Sequence, residues 1–282
     1  MTADAWTGNQ GRREAPSNRA VVGDGRAVRH QLRLGRLLPL GDRRDGSWIA
    51  ERAAEAVLRG AAEQVRGVRL GVLRIALADP ADVHEPAVPP PPGALPPGPL
   101  RITADFAAVA TEPLPEAASR LRTALATAAV ERLGLVVDEV DLQVTVLLDH
   151  MDDIDDINVI DDVDRVDDAD HDPAAGIDHV DDIDRVDHVD RVDGGDSESL
   201  VAATALAVPG VARLTGALGG LGRAVHIEEV AGEGALPRLH ARVELAVRAD
   251  RRALDVAREV RAGVDEALPG HPTVAVLVTK VD

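Results

Sequence analysis

The chain has 282 residues, with 31 Lys+Arg against 49 Asp+Glu and a formal net charge of −18. The absence of cysteine excludes disulfides, thiolate metal sites and cysteine nucleophiles. Aromatic residues are 1% of the chain, too few for base-stacking platforms, while a 45% apolar content is enough for packed cores. The charge is concentrated in one place: residues 149–196 hold 20 Asp and 3 Arg, a net of −17, and the rest is nearly neutral. Repulsion from nucleic acid and anionic membranes is therefore a property of that segment alone. Residues 1–30 lack the apolar region of a targeting signal, and no run of about 18 apolar residues exists. The expected location is the cytoplasm.

Taken in order, residues 1–45 are polar and Arg-rich and read as mostly disordered, with one strand near Leu32–Leu40. A first module is expected over 46–149. Ile49, Ala53, Ala56, Val57 and Gly60 recur at helical spacing, which predicts a helix over 47–62 with Ser47 as its N-cap. Val68–Leu77 alternates imperfectly and reads as a strand. Residues 80–99 contain the run PPPP and a second PP, which excludes helix and central strand and predicts an extended loop. Leu100–Val109 is the next strand. Leu114, Ala117, Ala118, Leu121, Leu125, Ala128, Ala129 and Leu133 form one stripe, so a helix is expected over 114–133 with Gly134 at its C-cap. Val136–Leu148 closes the module, with Val140, Leu142, Val144, Val146 and Leu148 expected on one face.

Residues 150–196 repeat the triplet apolar–Asp–X. An α-helix advances 300° per triplet, so no apolar stripe survives, and in a strand successive apolar residues fall on opposite faces. A solvated, self-repelling linker is the expectation. Carboxylates suit Ca²⁺, but the Gly and Glu positions of an EF-hand loop are absent. His150, His171, His179 and His188 occur at irregular spacing and read as variable positions of the repeat rather than zinc ligands.

The second module, 197–282, repeats the order of the first. A helix over 199–208 ends at Pro209-Gly210. Strands follow at 224–230 and 239–247. Asp250 is the expected cap of a helix over 251–268, and Thr273–Val281 is the last strand. The main helices align: Glu116, Leu121, Arg122 and Leu125 fall on Asp255, Val260, Arg261 and Val264. The expected fold is α+β, as two small helix–strand–strand–helix–strand modules. Each is a sheet with helices on one face, and the Asp-rich segment separates them.

Several stretches resemble the bacterial alkaline-shock-protein, or envelope stress response, family. They are Ile49-Ala50-Glu51-Arg52-Ala53-Ala54, Gly67-Val68, Ala202-Ala203 with Val208-Pro209-Gly210-Val211, and Asp255-Val256-Ala257 with Val260-Arg261 and Val264. The terminal strands Val144–Asp149 and Val276–Asp282 complete the set. The first module lacks the proline of the VPGV turn, and neither the proline loop nor the Asp-rich bridge belongs to the pattern. The resemblance implies a non-enzymatic scaffold in cell-envelope homeostasis. Its partners would be proteins, with a membrane-anchored envelope protein as the usual one, and it brings no catalytic, cofactor-binding or metal residues. The rival reading is an acidic ion-binding or polyelectrolyte protein acting through the Asp-rich repeat.

Motifs that carry chemistry are otherwise few. No G-x-S-x-G, HExxH or Walker loop occurs. Gly216-Ala-Leu-Gly219-Gly220-Leu-Gly222 precedes a strand, the wrong context for a phosphate loop, and reads as a flexible connector. His226 and His240 lie on neighbouring strands with Glu228, Glu229 and Glu244 nearby, so pairing of those strands predicts a His–carboxylate cluster. Arg122 and Arg261 occupy equivalent helix positions and read as solvated residues.

Overall fold

The computed structural model describes residues 34–149, 194–218, 223–230, 238–270 and 272–282. In chain order the elements are β1 (Leu37–Pro39), β2 (Ser47–Ala50), α1 (Glu51–Ala62), β3 (Val68–Leu77), β4 (Leu100–Val109) and α2 (Leu114–Thr127). There follow a π-helical turn (Ala128–Leu133), β5 (Val137–Leu148), α3 (Gly194–Ala207), β6 (Val211–Leu214), β7 (Val225–Val230), β8 (Arg238–Val247), α4 (Ala253–Ala267) and β9 (Thr273–Val281). The architecture is mixed α+β, with two sheets and four helices among the described residues.

The smaller sheet runs β3-β4-β5, antiparallel and then parallel. In the larger sheet β6 and β7 both lie antiparallel to one side of β8, and β9 lies parallel to its other side. A parallel pair needs a crossover, and α2 and α4 supply it. Each crossover helix buries the stripe read from the sequence: Ala117, Leu121 and Leu125 in α2, and Leu254, Ala257, Val260 and Val264 in α4.

The two sheets agree in local detail. The last strand of each carries one extra residue, Thr145 between the partners of Phe106 and Ala107, and Thr279 between the partners of Leu245 and Ala246. Both threonine hydroxyls donate to the carbonyl of the neighbouring strand, Thr145 to Phe106 (3.4 Å) and Thr279 to Leu245 (3.2 Å). At the other side, Gly67 and Gly210 have positive φ, and their carbonyls accept the N–H groups of Val109 (3.0 Å) and Arg248 (2.8 Å). Arg69 pairs with Ala107 as Arg213 pairs with Ala246. Strands β6 and β7 together match β3: the insertion of 215–224 stands where β3 has its irregularity between Leu70 and Leu73. Five more residues separate Leu121 from Thr145 than Val260 from Thr279, and the π-helical turn lies within that longer stretch.

The sheets do not stand apart. β2 pairs parallel with β9, and β1 pairs antiparallel with β2, so residues 37–50 extend the larger sheet although α1, next in sequence, packs against β3, β9 and α2. Leu37, Leu38, Leu40, Trp48 and Ile49 are buried, and one hydrophobic cluster runs through both sheets. Asp45 fastens the turn before β2 to α4, accepting from Arg258 Nε (2.7 Å) and Nη2 (3.1 Å) and from the Asp42 N–H (2.6 Å). Glu51 ties the start of α1 to the strand β1 region. Burial pushes its carboxyl up, but the side-chain and backbone hydrogen bonds from Arg36 outweigh burial and hold it below its ordinary value. The proline loop is a strap over the same strands: Leu95 N donates to the Leu37 carbonyl (2.8 Å), Trp48 Nε1 to the Leu95 carbonyl (3.3 Å), and Val88 is buried.

Several expectations change. The helix expected from residue 47 begins at Glu51. Ser47 is a strand residue whose hydroxyl donates to the Asp45 carbonyl, not an N-cap. Ile49 fits the helical spacing by coincidence, because its apolar side chain serves a strand. The helix expected to start after Asp250 begins at Ala253, with Arg252 at its cap. The 114–133 helix changes from α to π at Ala128. In β5 the extra Thr145 breaks the single apolar face: Val144 pairs with Phe106 and Val146 with the adjacent Ala107, so Val146 and Leu148 face away from Val144. Residues 34–45 lie in the fold, and 194–196 open α3. Residues 1–33 and 150–193, including His150, His171, His179 and His188, are outside the described residues.

Gly134 tests how the first crossover helix is seated on α4. Its φ is 93°, and an added Cβ would stand 2.4 Å from the Leu254 Cβ. Left-handed backbone and overpacking act together, so Gly134→Ala should cost about 3 kcal/mol of stability by urea denaturation. A loss near zero would mean that α4 does not sit on this turn.

Candidate functional site

The strands carrying the expected His–carboxylate cluster pair as predicted. Glu228 is the cross-strand partner of His240, and His226 of Arg242, so alternation places all four on one face of the larger sheet with Glu244. His240 is buried, and its Nδ1 lies 2.8 Å from Thr273 Oγ1. Glu244 is fully buried, and its Oε2 accepts the N–H groups of Ala217 (2.7 Å) and Leu218 (2.9 Å). Arg242 Nε is 3.7 Å from Glu244 Oε1. Exposed Glu229 pairs across the strands with Leu239 on the opposite face. Burial pushes the His226 and His240 imidazoles below their ordinary value; Arg242 adds to this for both, and Glu228 opposes it for His240. This is a set of neutral imidazoles and an anchored carboxylate. Glu244 holds the start of the glycine-rich connector against the sheet. That connector joins β6 to β7, not a helix to a strand, and its residues 219–222 lie outside the described residues.

A cleft of about 360 Å³ opens where the β1–β2 turn meets the proline strap. Asp42, Arg43, Arg44, His84, Pro97, Pro99 and Val136 are among its lining, which includes no Ser or Thr nucleophile. Among the described residues, no group of three or more His, Asp or Glu side chains could hold a metal ion. No described helix is long and apolar enough to cross a membrane.

Among the described residues, β5 carries three exposed large apolar side chains. Among the described residues it has a strand, β4, on one side only. Val144, Val146 and Leu147 are 37%, 41% and 55% exposed. Such an edge offers backbone donors and acceptors together with apolar side chains. Nearby, Arg122 Nε donates to the Val140 carbonyl (3.1 Å). Its counterpart Arg261 donates through Nη1 to the Arg44 carbonyl, at the turn that leads into β2. The two arginines read as solvated positions thus both bind strand or turn carbonyls. Comparison with family models, with curated proteins and with solved structures found no match.

The sequence located the His–carboxylate cluster through the expected pairing of two neighbouring strands, and the structure removes Glu229 from it. It gave no signal for the open edge, because an edge strand and a central strand can share one apolar pattern.

The imidazoles set a sign for the pH dependence of stability. The folded chain binds these protons less readily than the unfolded chain, whose histidines keep their ordinary value of 6.5. Stability is therefore lost as the pH falls below about 6.5. The urea midpoint should drop between about pH 7 and about pH 5, and His226→Gln with His240→Gln should flatten that slope. A midpoint that rises on acidification would contradict the burial argument.

Proposed function

We propose that the chain is a non-enzymatic scaffold of two alkaline-shock-like units, acting in cell-envelope stress or homeostasis by binding proteins. Residues 51–148 and 194–282 are read as copies of one unit. The observation that carries the duplication is the matched pair of bulged threonines, each hydrogen-bonded to the preceding strand in the same way. The matched Gly67 and Gly210 turns support it from the opposite side of each sheet. Both turns fall at the Gly-Val step on which the family resemblance rests. Binding rather than catalysis is favoured because the buried Glu244 carboxylate is engaged in holding the backbone of Ala217 and Leu218, while apolar side chains stand exposed on β5.

The direct test uses the full chain, immobilised, with detergent-solubilised bacterial membranes. The expected outcome is saturable enrichment of one membrane-anchored protein, competed by free chain. Recovery of no envelope protein would count against the envelope role.

A further inference from the structure

We propose that the outer edge of β5 receives an extended, basic-ended segment of a partner protein, paired parallel to β5 as β2 is paired to β9. This deepens the protein-binding reading by naming the surface and the partner's chemistry.

The protein already contains one such pairing. Ser47, Trp48 and Ile49 of β2 stand against Val276, Leu277 and Val278 of β9. Matching Thr145 to Thr279 places Leu142, Gln143 and Val144 of β5 at those three positions. On the side away from β4, no strand lies against them among the described residues. The clamp is duplicated as well. Arg261 grips the carbonyl of Arg44, upstream of the docked strand, whereas Arg122 turns back onto Val140 of its own sheet. Arg122 is exposed and has the reach to exchange that carbonyl for one on an incoming strand.

The side chains define the occupant. Val144, Val146 and Leu147 need apolar neighbours to leave water. Asp138, Glu139 and Asp141 line the same strand, with Asp149 just beyond it; among the described residues, Arg101 pairs with Glu139 and Asp141. A second copy paired parallel and in register would oppose acid to acid, and one paired antiparallel would set Asp138 and Glu139 against Leu147 and its neighbours, so neither satisfies both ends of the strand. A basic segment is favoured instead. In the register of β2, the residues three and four before the first paired position fall opposite Glu139 and Asp138. In the β2 segment those residues are Arg44 and Arg43. Main-chain hydrogen bonds would supply affinity, and alternate side chains specificity.

The probe is a fluorescein-labelled peptide copying residues 43–50, Arg-Arg-Asp-Gly-Ser-Trp-Ile-Ala, titrated with the full chain by fluorescence anisotropy. Saturable binding is expected. It should weaken about tenfold or more with Val144→Lys, the position opposite peptide Ile49, and likewise when both peptide arginines are replaced by Glu. Val230→Lys, at an exposed position on β7, should leave it unchanged. Val144 is 37% exposed, so the fold tolerates the lysine. Absence of saturable binding overturns the proposal. So does binding that Val144→Lys leaves unchanged, which would point to exchange with β2 on β9. A dimer in sedimentation that Val144→Lys dissociates would make a second copy the occupant. These outcomes are independent of the membrane pull-down, so the envelope reading and the edge site can fail separately.

Discussion

β2 lies parallel against β9, so a segment that precedes the first helix completes the second sheet. Ser47 and Val276 are more than two hundred residues apart in sequence, and their pairing closes the chain on itself. Much else follows from it. Ile49 and Trp48 are buried on opposite faces of the larger sheet, one towards the common core and the other under the proline strap. Asp45 can reach Arg258 only because the turn before β2 is brought to α4. The proline loop has a place to lie because β1 and β2 offer it a carbonyl and an indole N–H. The loss of chain entropy in such a closure is large, and burial of a contiguous apolar cluster offsets it.

Against this background, the likeness of the two sheets is a likeness of backbone chemistry rather than of sequence. A threonine in a bulge can return its hydroxyl to the neighbouring strand, and a glycine with positive φ can turn the chain into the first strand. These devices recur at matched places while most side chains around them differ. The differences are equally physical. A π-helical turn leads into the smaller sheet's last strand where the larger sheet's helix ends early, and ten residues, 215–224, stand in the larger sheet where the smaller has two, Gly71 and Val72. The larger sheet has its outer edge covered by β2, and in the smaller sheet no strand covers the matching edge among the described residues.

Local periodicity made the helices and most strands readable. The stripe of Leu121 and Leu125, and its echo in Val260 and Val264, fixes which face is buried. The expected pairing of β7 and β8 brought His226, His240, Glu228 and Glu244 together, but Glu229, expected with them, falls on the other face. β2 was missed because Ile49 lies in phase with the helix that follows, so a four-residue strand was absorbed into a helical pattern. The bulge at Thr145 was missed because a strict alternation of apolar residues continues through it, although the pairing does not. Parallel docking at long range leaves no local mark at all. The residues that make the candidate edge were therefore visible as a strand, but their exposure was not.

The claim that one core holds both sheets through β2 is tested most directly by hydrogen exchange on the full chain and on Ile49→Ala. Ile49 is fully buried, and its truncation should cost about 2–5 kcal/mol. The account predicts that the slowest amides of β4 and of β8 exchange with one common free energy, and that the variant lowers both by the same amount. Undiminished protection of β4 beside loss in β8 would contradict it, because the two sheets would then be separate folding units.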